Sequence, residues 1–155
     1  MPSTASRRWR ISGASLAPES TRTSTETTAS ALQNAGINYH WLEALGGRRA
    51  KPRDGLSTGN LGLHNAGFRN YADYMLTQEF QEGVASLLKV ARQKCTALMC
   101  AEGLFWRCHR RLVSDFLTAN GLTVQHIMPT GELRPHQLTP GTLTEGGTVT
   151  YPGET

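Results

Sequence analysis

Between residues 31 and 127 apolar residues recur first at one period and then at another, and that alternation limits what the chain can fold into. Ala31 and Leu32 read as the last turn of a helix, closed by Gly36, which tolerates the positive φ of a C-terminal cap. Ile37, Tyr39 and Trp41 then alternate as a strand does. Thr77 can cap a helix with Glu79 in its first turn and with Phe80, Val84, Leu87, Leu88 and Ala91 at helical spacing. The run CTALMC that follows is short and almost wholly apolar, the pattern of a strand buried on both faces. Leu112, Val113, Phe116 and Leu117 define a further amphipathic helix that stops at Asn120-Gly121, and LTVQHIM reads as the next strand. Strand, helix, strand, helix, strand predicts an α/β fold with a mostly parallel sheet and right-handed crossovers. At the C-terminus TLTEGGTVTY alternates around Gly146-Gly147, which predicts a β-hairpin capping an edge.

Two stretches stand outside this alternation. Residues 1–30 are dominated by Ser, Thr, Arg and Ala, and their isolated Trp9, Ile11 and Leu16 fit neither period. Such a segment buries too little to offset its ordering entropy, so a disordered or non-native stretch is expected ahead of one domain over 31–155. Its Arg- and Ser-rich start, with no acid before Glu19, is also how an organellar transit peptide reads. From Gly46 to Gly67 the chain is rich in Gly, Arg and Asn and contains Pro52, a loop longer than packing requires.

A chain of 155 residues that is 38% hydrophobic supports one core and one domain. Its 16 basic against 12 acidic residues give a net charge of +4, which favours anionic partners. No apolar run approaches the roughly 18 residues of a membrane span. Cys95, Cys100 and Cys108 are odd in number and sit among Met and Leu, so they read as reduced thiols in a soluble, cytoplasmic protein.

The chemistry concentrates in MCAEGLFWRCHRRL, residues 99–112. Cys100 ends the apolar strand, Ala101 to Arg107 turn the corner, and Cys108, His109 and Arg110 fall in the first turn of the next helix, where open α/β sheets place their ligands. A helix N-terminus flanked by Arg107, Arg110 and Arg111 suits phosphate or carboxylate. The same field lowers a thiol's pKa, which makes Cys108 the expected thiolate, whereas desolvation on the strand should raise Cys100. Three further readings stand beside the anion pocket. A nucleophilic thiol could use Cys108 with His109 as base and Glu102 as orienter. A zinc site from Cys100, Cys108 and His109 ranks behind, because adjacent side chains on a helix point about 100° apart. The structural reading makes Cys100 and Cys108 small buried hydrophobes, with His109 and Arg110 satisfying local carboxylates, and it is preferred for Cys100.

The basic run Arg48, Arg49, Lys51 and Arg53 beside Gly46-Gly47 is a solvated loop unless it faces the pocket, where it could close over a phosphate. Tyr71, Tyr74 and Met75 recur at helical spacing and read first as core, with Tyr71 kept as a binding candidate. His126 reads as a core histidine, His136 as a turn residue and His40 as strand surface. No metal and no cofactor are expected, and the partner is a phosphate-bearing ligand, either a nucleotide or nucleic acid.

NAGINYHWLEALGGRR, NAGFRNYADYMLTQEFQEGVASLL, ALMCAEGLFWRCHRRLVSDFL and VQHIMPTGELRPHQLT, which together span about residues 31–152, resemble the DUF488 family of small bacterial and archaeal α/β proteins. The resemblance implies a three-layer fold with Cys100, Glu102, Cys108, His109 and Arg110 at the signature site, and it supplies no reaction. Two departures accompany it. The family's opening T-I-G-H-S-like strand and D-V-R strand end are not found before Ala29, so the fold is expected to lack a strand. Phe105 also stands where the family commonly has proline, which loosens the turn.

Overall fold

The computed structural model describes residues 8–12, 21–51 and 59–153. The main sheet has four strands, β1 (Arg8–Ser12), β2 (Ala97–Leu98), β3 (Thr123–Ile127) and β4 (Leu133–Pro135), in the order β2-β1-β3-β4. β1 runs parallel to both neighbours, with Arg10 opposite Ala97 and Ile11 opposite His126, whereas β4 returns antiparallel to β3. The α/β character therefore holds; β1 pairs parallel on both sides and β4 alone is antiparallel, so the sheet is small and mixed, and the described residues do not show the three-layer arrangement expected.

Four helices accompany the strands among the described residues: α1 (Thr21–Asn34), α2 (Ala66–Tyr74), α3 (Gln78–Ala91) and α4 (Arg110–Ala119). α2 starts at Asn65, whose side chain accepts from the Phe68 N–H, and α3 starts at Thr77, whose hydroxyl accepts from the Phe80 N–H. The apolar face of α3 buries Phe80, Val84, Leu87 and Ala91 as its spacing predicts. Phe80 meets Phe116 of α4 edge to face at 5.2 Å and Tyr71 of α2 at 6.2 Å, so one aromatic knot joins three helices. A Cβ at Gly83 would come within 2.8 Å of Ala44, so this glycine lets α3 press against the 3-10 turn Glu43–Leu45.

Several expectations are corrected. Ile37, Tyr39 and Trp41 form no strand. Ile37 is 53% and Trp41 63% exposed, and alternation without a sheet neighbour does not hold a strand. Within residues 1–30, expected to be irregular, Arg8–Ser12 form β1, paired on both edges, and residues 21–30 make most of α1. Residues 1–7 and 13–20, also expected to be irregular, lie outside the described residues. CTALMC contributes only Ala97–Leu98, an edge strand with Ala97 exposed and Leu98 half-buried against the core, rather than a buried centre. The C-terminal hairpin, β5 (Leu143–Glu145) and β6 (Thr148–Thr150), turns at Gly146-Gly147 with both φ values positive. It makes its own two-stranded sheet instead of capping the main one, and it buries Val149 in the shared core. No helix among the described residues is long and apolar enough to cross a membrane.

Candidate metal centre

Cys100 lies just beyond β2, and the chain then passes through the 3-10 turn Phe105–Arg107 to Cys108, His109 and α4. Cys108 is extended, with φ −134° and ψ 169°, while His109 is already helical at φ −58° and ψ −18°. The two neighbours are therefore not both on a helix, and the fanning apart expected of them does not occur. Cys100 Sγ lies 4.0 Å from His109 Nδ1, and one ligand atom from each of Cys100, Cys108 and His109 falls within 4.8 Å of the others. Cys100 and His109 are half-buried and Cys108 is buried.

The loop after the 3-10 turn Glu43–Leu45 forms the opposite wall. A Cβ at Gly47 would come within 2.8 Å of His109 Cε1, so the backbone there rests directly on the imidazole. Tyr71 packs its ring 5.1 Å from that of His109 and donates its hydroxyl to the Leu45 carbonyl at 2.9 Å. Burial pushes the Tyr71 phenol up, against the pull of Arg49, so it stays a donor. Tyr74 donates to the Ala44 carbonyl at 2.6 Å. Arg49 donates to the Glu43 and Gly46 carbonyls at 2.7 and 3.1 Å while its guanidinium stacks 3.8 Å over the Tyr74 ring. Arg49 thus straps the loop, while Arg48 and Arg107 are exposed.

Arg110, 2% exposed, donates Nε–H to Cys108 Sγ at 3.0 Å, its backbone N–H to the same sulfur at 3.4 Å, and its guanidinium to the Glu102 carbonyl. Among the described residues these bonds tie it to a sulfur and a carbonyl. The Glu102 carboxylate accepts from the Leu104 N–H at 3.2 Å and so braces the corner ahead of the 3-10 turn.

The thiol directions reverse expectation as well. The neighbouring Cys108 thiol pulls Cys100 below the ordinary thiol range against the effect of desolvation, helped by His109 and the Glu102 backbone. Cys100 in turn, together with burial, pushes Cys108 up despite Arg110. Cys108 begins no helical turn, so the dipole argument that made it the thiolate does not reach it.

Sequence reasoning missed a second polar chain. Asp115 of α4 accepts from the Thr139 N–H at 2.9 Å and the Tyr151 hydroxyl at 2.7 Å, and lies 2.8 Å from His136 Nε2. His136 Nδ1 is in turn 2.8 Å from His126 Nε2. Burial alone would raise Asp115, but its bonds from His136, Thr139 and Tyr151 outweigh that and hold it below the usual carboxylate range. Desolvation, His136 and Arg110 push His126 down to about 3. The signal in the sequence was an acid at 115 between Val113 and Phe116-Leu117, since a carboxylate inside an apolar stripe needs buried partners.

These features define a mixed α/β domain with a Cys-Cys-His cluster at a strand-to-helix turn. A family model described as Domain of unknown function DUF488 matches residues 15–117, about two thirds of the chain, and the chain belongs to that family. The match takes in Cys100 to Arg110 and Asp115, while His126 and His136 lie beyond it. No curated protein and no solved structure matches the chain.

Proposed function

We propose that this domain holds a thiolate-preferring divalent cation of the zinc type through Cys100, Cys108 and His109, with a remaining coordination position open to a small anionic ligand. The observation that carries this reading is the convergence of the three ligand atoms within 4.8 Å. Two thiolates and an imidazole are a ligand set that zinc accepts, and a site with three protein ligands keeps a place for water or substrate. A bound ion would lower the pKa of a water there or polarise a ligand oxygen. Arg110 serves such a centre by donating to the Cys108 sulfur, and Gly47 and Tyr71 set the His109 ring. Exposed Arg48 and Arg107 and a net charge of +4 support a phosphate-bearing ligand, a nucleotide or nucleic-acid phosphate. The free thiols of Cys95, Cys100 and Cys108 fit a reducing, cytoplasmic setting.

A second reading has one observation in its favour. The half-buried Cys100 sulfur, 4.0 Å from His109 Nδ1, suits a thiolate nucleophile paired with an imidazole, with Cys100 in the role expected of Cys108.

Cobalt(II) titration of the full chain separates the two. The metal reading expects a thiolate-to-cobalt charge-transfer band that saturates at one ion per chain and is lost in Cys100→Ser and Cys108→Ser. A protein that shows no such band, yet alkylates rapidly at Cys100 in a His109-dependent way, is a thiol site instead.

A further inference from the structure

His126 and His136 sit outside the Cys-Cys-His cluster, yet they form with Asp115 an unbroken line of contacts whose last ring reaches the turn that carries Cys108. Phe105, the first residue of the 3-10 turn, lies flat on His126 with ring centroids 3.4 Å apart and planes inclined by 4°. That turn is only three residues long and its cap residue, Leu104, makes no side-chain cap bond; Glu102 braces the Leu104 N–H ahead of it, which leaves the ring of Phe105 as the turn's hold on the core beyond. Its product is the placement of Cys108, whose N–H donates to the Phe105 carbonyl at 3.3 Å. The platform itself is immobilised: His126 is 1% exposed, its Nε2 meets His136 Nδ1, and His136 is anchored on an Asp115 carboxylate that Thr139 and Tyr151 also hold.

We propose that His126 is a positioning residue for the Cys-Cys-His cluster: clamped by His136 and Asp115, it offers a fixed plate on which Phe105 stacks, and the stack sets the turn that delivers Cys108 to Cys100 and His109. The proposal deepens the metal reading and rests on it for one of its two readouts. His126 meets the turn through the Phe105 ring, and that stack is the route by which it acts on the ligands. An outer residue that orients a ligand typically changes metal affinity by about 10- to 100-fold when removed.

The test uses the full chain with Phe105→Ala, Phe105→Tyr and His126→Ala. Phe105→Ala and His126→Ala should bind cobalt(II) about tenfold more weakly, with a diminished thiolate charge-transfer band. Phe105→Tyr keeps the ring that stacks on His126 and should restore both. Amide exchange at Cys108 gives a readout that needs no metal, and it should quicken in Phe105→Ala and recover in Phe105→Tyr. The Phe105 pair decides the matter if His126→Ala fails to fold. Wild-type affinity, spectrum and Cys108 exchange in Phe105→Ala overturn the proposal. If the wild-type chain itself gives no thiolate band, the metal reading has failed, and Cys108 exchange alone judges the stack: unchanged exchange in Phe105→Ala sinks it, and faster exchange rescued by tyrosine sustains it.

Discussion

His136 Nε2 lies 2.8 Å from Asp115 Oδ1 with both side chains almost wholly withdrawn from solvent, which joins α4 to the segment that follows β4 inside the core. Removing the carboxylate orphans the Thr139 N–H and the Tyr151 hydroxyl as well as the imidazole. Breaking a buried pair from one side costs about 3–5 kcal/mol, so Asp115→Ala should lower unfolding free energy by that order in a urea titration. Asp115→Asn keeps an acceptor and should cost less. Equal and negligible effects in the two variants would contradict the buried chain.

The same chain fixes a pH dependence. His126, faced by His136, Asp115 and Arg110, has a folded-state pKa lowered from 6.5 to about 3. Between those values the unfolded chain binds the proton and the folded chain does not, so stability falls as pH drops from 6.5 toward 3, by up to about 1.4 kcal/mol per pH unit from this group. Asp115, whose pKa is also lowered, adds stability above its unfolded value that is lost as pH falls through its folded one. Urea midpoints at pH 7, 5.5 and 4.5 should decline in wild type, and the decline should be shallower in His126→Phe, which keeps a ring for Phe105 but cannot titrate.

Gly47→Ala is expected to act on the site rather than on the core. The added methyl would meet the His109 imidazole at 2.8 Å or less, so the ring must leave the place it holds 4.0 Å from the Cys100 sulfur. Cobalt(II) affinity should drop by about tenfold or more while the melting temperature changes little. A variant that binds cobalt(II) as wild type does would show that the ring is not where the loop holds it.

Arg110→Ala should destabilise the unliganded protein by about 2–3 kcal/mol, because it leaves the Glu102 carbonyl and the buried Cys108 sulfur without their charged donor. Arg110→Lys should not rescue it, since an ammonium lacks the planar fork that reaches both groups. Phosphate compared with chloride at equal ionic strength should give the same increment in melting temperature for wild type and variant. A gain that vanishes only in the variant would return Arg110 to the anion-binding role first expected of it.

What could be read in advance was local chemistry with a single outcome. Thr77 and the spacing from Phe80 to Ala91 specify a capped amphipathic helix, and Gly146-Gly147 specify a two-residue turn. Pairing partners were not legible, because they depend on residues far away in sequence: Ile37 to Trp41 have the alternation of a strand and no neighbour, while Arg8–Ser12 have a neighbour on each side. At the site the residue types were visible, but their convergence depended on one torsional change between Cys108 and His109. The chain from Asp115 to His126 was hidden because its three members come from separate parts of the chain, α4, β3 and the segment after β4, each with a bland role when taken alone.

The central place of β1 carries a consequence for how the protein is made. Its partners at Ala97–Leu98 and Thr123–Ile127 are encoded far downstream, so Arg8–Ser12 leave the ribosome long before either edge exists to receive them. Pairings this remote in sequence close slowly. β2 can meet one edge before the other exists, and the parallel pairing with β3 must wait until Thr123–Ile127 have been made.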